Sequence, residues 1–229
     1  MIGGCHPFAL ICLALALSDT AVGADQSVSD AEQRLFLDAH LANVAAPVTL
    51  NYLYTKSGSL EAPVSADEVH VSLSAAEGGK QAHVDYLTES RAMSLPDLQG
   101  VIANPVILYF LEQDVREMQR LSSGKSAYFR KRVRLALAES AQMRPVSVQL
   151  DGRTVDAVEI TVRPYDQDPL QRRFAAYADK TYSFTLSPEV PGTVYEMRTT
   201  MYDPKAKAAG KEPPPPLIQE TLTFSGTGR

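Results

Sequence analysis

The densest chemistry in this sequence lies in YFRKRVR, residues 128–134. Counted from Lys125, it puts Lys125, Arg130, Lys131, Arg132 and Arg134 within ten positions. At about 100° per helical residue, Arg130, Arg134 and Lys131 share about 100° of arc, while Phe129 and Val133 point elsewhere. Such a face can hold an anionic lipid head group, a glycan or a cell-envelope phosphate. Lys125, Arg130, Lys131 and Arg134 are therefore the candidate anion-binding residues. The competing account is a solvated face whose charges pair with the acidic helix before it. The face is narrow and the net charge is −5, so no nucleic-acid partner is expected.

Other reactive residue types fit chemistry less well. His70 stands between Val69 and Val71 and points away from their apolar face, while His83 and Asp85 share the polar face of the next strand. If those strands pair, an imidazole and carboxylates approach half a metal site; wet strand surface is the plainer reading, and no metal is expected. No Ser occupies a G-x-S-x-G elbow. GKS at 124–126 lacks the rest of a phosphate loop, because Gln119 stands where the motif requires Gly. Asp114 falls beside Met118 and Leu121 on the helical wheel. If buried, it needs a base or several hydrogen bonds, which makes it an anchor for a loop or an Arg, with a catalytic acid as the alternative. Glu112 lies next to Arg116 at i+4, an ordinary surface pair. No cofactor motif is present.

The elements that would carry these residues are legible from periodicity. Ser29 and Glu32 have capping-box spacing and open a helix expected to run to about Asn43. Val48, Leu50, Tyr52 and Tyr54 alternate as one strand face, and EVHVSLS with QAHVDYL reads as a hairpin through a Gly-Gly turn. Asn104 and Pro105 suit a helix start, and Ile107, Leu108, Leu111, Val115, Met118 and Leu121 form its apolar arc. A second helix begins near Ser126, its arc formed by Phe129, Val133, Ala136 and Leu137. After Pro145, VSVQL and TVDAVEITV form a hairpin through Asp151-Gly152, with Val158, Ile160 and Val162 alternating. Asp168 and Pro169 can cap a short helix through Tyr177. TYSFTLS and TVYEMRT form a third hairpin. A proline-rich loop follows at 205–216, and LIQETLTF adds a terminal strand with Ile218, Glu220, Leu222 and Phe224 on one face.

Three hairpins and further strands interrupted by a helical pair predict an α+β fold: a curved antiparallel sheet of hairpins covered by a central pair of helices. This order of strands and helices resembles the curved sheets around helices of periplasmic lipoprotein carriers. The resemblance is one of layout and involves no motif.

The N-terminus bears on location. Phe8–Leu17 is an apolar run too short to span a bilayer, followed by Val22-Gly23-Ala24, the small-residue pattern of a cleavage site. Residues 1–24 read as a signal peptide and 25–229 as a single α+β domain, placed in the periplasm or secreted. Cys5 and Cys12 fall within the removed segment, so the mature chain would lack thiol chemistry. Ile11 before Cys12 argues against lipidation. Composition is that of a folded chain, 45% hydrophobic and 21% charged over 229 residues. The function expected is a non-enzymatic cell-envelope protein binding an apolar or anionic ligand (lipid or glycan) or a protein partner, with peripheral membrane contact possible. Two alternatives stand beside it. One is a hydrolase using Asp and His at strand ends; the other is a structural accessory domain of an envelope complex. The ten tyrosines suit half-buried sheets better than a wet cleft.

Overall fold

The computed structural model describes residues 28–61, 65–93, 96–203 and 215–228, with the side chain of Ala176 excepted. The signal-peptide reading, both cysteines and most of the proline-rich loop lie outside those residues.

The chain folds into one open, curved, antiparallel sheet of nine strands covered by helices, the α+β arrangement expected from periodicity. In chain order the strands are β1 (Val48–Ser57), β2 (Ser65–Ala76), β3 (Gly79–Tyr86), β4 (Leu98–Val101), β5 (Gln142–Leu150), β6 (Arg153–Val162), β7 (Lys180–Leu186), β8 (Val194–Met201) and β9 (Ile218–Gly228). Their order in the sheet is β4-β3-β2-β1-β9-β8-β7-β6-β5. Two meanders are thus joined through the C-terminal strand. The terminal strand legible in LIQETLTF is last in the chain but central in the sheet, paired with β1 on one side and β8 on the other.

Period-two alternation decides which face is buried. Leu50, Tyr52 and Tyr54 on β1, Val69, Val71 and Leu73 on β2, and Tyr182 and Phe184 on β7 all point inward and are buried. Tyr52, Tyr54, Tyr86 and Tyr182 fill the core and line no wet cleft. β5 begins at Gln142, three residues before Pro145, although sequence reasoning started it after the proline. As an edge strand, β5 tolerates a residue without an amide hydrogen, since one side of the strand has no ladder to feed.

Between β4 and β5 come α2 (Val106–Ser122) and α3 (Ser126–Glu139), preceded in the chain by α1 (Asp30–Glu32). The start of α2 lies one residue later than expected, with Pro105 at the cap position, and the Asn104 Oδ1 accepts from the Val106 amide at 3.2 Å. α2 ends at Ser123 in the left-handed region, with φ 56°. The next residue must be small, because a Cβ on Gly124 would lie 2.7 Å from the Phe129 ring. The Gly-Lys-Ser segment is therefore a packed helix–helix turn. Around it, Phe129 makes edge-on contacts with Tyr128, Tyr165 and Phe174, the last from the short 3-10 helix Gln171–Tyr177.

The continuous helix expected over residues 29–43 is not what forms. The capping box of Ser29 and Glu32 is made. However, the single α turn passes into a π turn at Gln33–Leu37, and a separate 3-10 turn follows at His40–Asn43. His40 explains the break. Its buried ring takes the Arg34 carbonyl through Nε2 at 2.6 Å, and its Nδ1 accepts the Asn104 amide at 3.1 Å. A carbonyl engaged by a ring is withdrawn from the helical ladder, and the ring ties the break to the start of α2.

Candidate functional site

Two features on α2 merit attention, and they lie on different faces. The face toward the sheet carries Asp114 and Glu117, both buried. Asp114 accepts hydrogen bonds from Lys180 and from the Tyr182 hydroxyl on β7, and all three side chains are buried. Tyr165 extends the cluster, its hydroxyl 3.3 Å from that of Tyr182. One turn on, Glu117 meets Lys56 of β1 at 3.0 Å and Arg120 at 2.7 Å. Glu220 of β9 accepts the Tyr54 hydroxyl at 2.9 Å and lies 3.6 Å from Lys56.

Charge and burial compete within this cluster. For Glu117, burial would raise the carboxyl pKa. The Arg120 hydrogen bonds and the Lys56 charge outweigh that and bring it to about 2. For Glu220, burial wins: desolvation lifts its pKa despite nearby Lys180, with Asp114 adding to the rise. Lys56 is likewise held above its usual value, because Glu220 and Glu117 overcome its own desolvation. Asp114 is thus the anchor anticipated, although its partner is a lysine on the sheet, where a loop or an arginine was expected.

The second feature is a groove on the outer side of the helical layer. Phe36 of the π turn, Leu108, Leu111 and Val115 of α2, and Val133 and Leu137 of α3 form its apolar walls. Its volume is about 330 Å³, near the small end of ligand sites (about 300 to 1,000 Å³). Leu108 is 57% exposed, and Leu111 is only partly buried. The arc that the sequence assigned to one buried face is therefore divided. Ile107, Val115 and Met118 are in the core, Leu121 is partly buried, and Leu108 and Leu111 line open space. VILYFL at the start of α2 is apolar on every side. That width was the available signal that this helix serves two surfaces.

Four charged residues complete the groove: Glu32, Glu112, Arg130 and Arg134. Glu32 is occupied by its capping box, accepting the Ser29 amide and hydroxyl, each at 3.0 Å. Glu112 and Arg130 clasp α2 to α3 with two hydrogen bonds of 2.8 and 2.7 Å. Those bonds hold the Glu112 carboxyl below its usual pKa. Arg134 is exposed and makes no ion pair with any described residue.

The basic run is thus divided. Arg130 and Arg134 reach the groove, whereas Lys125 and Lys131 are exposed away from it. Arg132 turns to Asp168 at 2.9 Å. The pairing of Arg130 with Glu112 realises, for one residue, the alternative in which these charges neutralise the acidic helix. The two strands pair as expected and set His70 opposite Asp85, yet the imidazoles take different partners. His70 meets Asn51 at 2.8 Å, and His83 meets Asp97 at 2.7 Å and Asp85 at 3.2 Å on exposed strand surface. Among the described residues, no group of three or more His, Cys, Asp or Glu could hold a metal ion. Asp114 lies apart from His83 and Asp85, enclosed by its own partners. Sequence reasoning did not single out Lys56, Glu117, Lys180 or the polar role of Glu220, because ionisable residues in strands and helices ordinarily face water.

No protein-family model matches the chain, and no curated protein matches it in sequence. Partial similarity extends to several solved structures, among them these two. One is the lipoprotein LppX of Mycobacterium tuberculosis, at 9% identity over 77% of this chain and 84% of that one, with a TM-score of 0.28. The other is a domain of an outer membrane lipoprotein-sorting protein from Vibrio parahaemolyticus, at 8% identity over 79% and 84%, with a TM-score of 0.23. At these scores neither likeness carries an argument about function. No helix among the described residues is long and apolar enough to cross a membrane.

Proposed function

We propose that this chain is a non-enzymatic binding protein of the cell envelope that takes the apolar part of a ligand into the groove between the π turn, α2 and α3. The supporting observation is the groove itself: Leu108, Leu111 and Phe36 stand open along it over a floor of buried Val115, Val133 and Leu137, while the space between helices and sheet is filled by buried tyrosines and ion pairs. A chain that buries this much apolar surface elsewhere and leaves a concave apolar slot open has a surface suited to occupation. An envelope location rests on the Phe8–Leu17 run and the Val22-Gly23-Ala24 pattern.

The filled sheet cavity lends some support to a second reading, an accessory domain within an envelope complex. The open groove weighs toward the first. As the acid of a hydrolase, Asp114 is disfavoured, since its carboxylate is committed to Lys180 and Tyr182. Native mass spectrometry of the protein from its own host envelope tests the proposal. Wild type should retain an apolar small molecule that Leu111→Trp, which fills the groove, does not. A stoichiometric protein partner retained equally by both forms would favour the accessory reading.

A further inference from the structure

We infer that the groove ligand is a single-chain anionic lipid, its acyl chain along the apolar walls and its head group on Arg134. This deepens the binding reading above and rests on it. Size limits the chain count. A volume of about 330 Å³ at the small end of ligand sites suits one slender chain, and a branched or multi-chain lipid would leave most of its apolar surface in water.

The sign of the head group follows from how the four charges are committed. Glu32 spends its carboxylate on the amide and hydroxyl of Ser29. Glu112 is neutralised by the two hydrogen bonds from Arg130, with Arg116 at 3.8 Å as a further cation. That leaves Arg134, exposed and without an ion pair among the described residues, as the uncompensated cation beside the slot. A cationic head group would meet the repulsion of Arg134, with Glu112 already taken by Arg130 and Glu32 held through Oε2 in its capping box. A neutral one would leave the guanidinium unused. An anionic carboxylate or phosphate matches its planar set of donors, which favours two parallel hydrogen bonds. The Arg130–Glu112 clasp closes one side of the slot, so its two guanidinium bonds serve the wall of the groove, while Arg134 serves the head group.

The test uses the mature-length chain and displacement of a fluorescent acyl probe by dodecanoate, by dodecanol and by dodecyltrimethylammonium. Circular dichroism checks that each variant is folded. Dodecanoate should bind at least about tenfold more tightly than dodecanol, the scale of one charge-assisted contact, and the cationic amphiphile most weakly. Arg134→Gln should remove the preference for dodecanoate while leaving dodecanol binding unchanged, and Arg134→Lys should keep part of it. Rising salt should reduce the preference in wild type and have no effect in Arg134→Gln. Leu111→Trp should abolish binding of all three.

Equal affinity for dodecanoate and dodecanol, with both lost in Leu111→Trp, would overturn the head-group inference and leave the apolar groove standing. Failure of wild type to bind any of the amphiphiles, or binding that Leu111→Trp leaves intact, would overturn the groove reading and this inference with it. A ligand-free dimer dissociated by Leu111→Trp would also overturn it, by assigning the slot to a second copy of the chain.

Discussion

Lys180 shows how much a single residue can carry here. Its ammonium is buried against Asp114, and Asp114 also takes the Tyr182 hydroxyl. Removing one member leaves a charge without compensation in a site that water cannot reach. Lys180→Met should therefore cost about 3 to 5 kcal/mol. Asp114→Leu combined with Lys180→Met should recover much of that loss, since neither ion then needs solvating. Urea midpoints of the two forms check this; equal destabilisation of single and double variants would refute it.

Acidification should act through His40 and Glu117. His40 is buried, and desolvation lowers its pKa from 6.5; a proton on Nδ1 would oppose the Asn104 amide it accepts. The unfolded chain thus binds that proton first, and stability should fall as pH drops below 6.5. Glu117 adds a second loss as pH falls from 4.5 toward about 2. Glu220 runs the other way, because its raised pKa lets the folded state keep a proton that the unfolded chain releases above 4.5. Denaturation free energies across pH should show the upper step vanish in His40→Gln, and persistence of that step in the variant would exclude His40 as its source.

At the scale of the element, α2 is a helix with two jobs. Met118 is fully buried, and Met118→Ala should cost about 2 to 5 kcal/mol through lost transfer energy and a cavity. Leu111 is only partly buried, so Leu111→Ala should cost distinctly less, about 1 kcal/mol, in line with ordinary substitutions outside the core. This differs from the fully buried Leu111 that the apolar arc suggested. Thermal or denaturant unfolding of both variants decides the matter, and a larger loss at Leu111 would mean that the groove is closed in solution. For α3, the packed turn requires Gly124, whereas the exposed Lys125 and Lys131 can be neutralised without loss of fold.

At the scale of the molecule, β9 joins two meanders that otherwise share no strand pairing. The two halves of the sheet therefore join only when the last strand arrives, and truncation after residue 215 should leave one side of β1 and one side of β8 as open edges and prevent folding. Location is tested separately. Protein recovered from its native host envelope should begin at Asp25 by intact mass and carry no lipid adduct. A full-length product in the cytosol would remove the basis for an envelope role.

Alternation by two and by about 3.6 determined most of the layers in advance, because burial on one face imprints a period that needs no partner to be read. The hairpins, the helical pair and the inward faces of β1, β2, β6 and β9 follow from it. The capping box and the Asn104 side-chain bond at the start of α2 were equally local. Only tertiary structure decided the rest. β9 becomes central because pairing partners distant in the chain select it, and the 29–43 segment breaks because His40 engages the Arg34 carbonyl and the Asn104 amide. The buried charges are invisible to periodicity, since Glu220 is tolerable inside only when Tyr54 and Lys56 arrive from β1. The groove likewise depends on three helical segments meeting. Of the four basic residues singled out from their spacing, packing brings Arg130 and Arg134 to it, because a helix wheel fixes directions but not what stands opposite them.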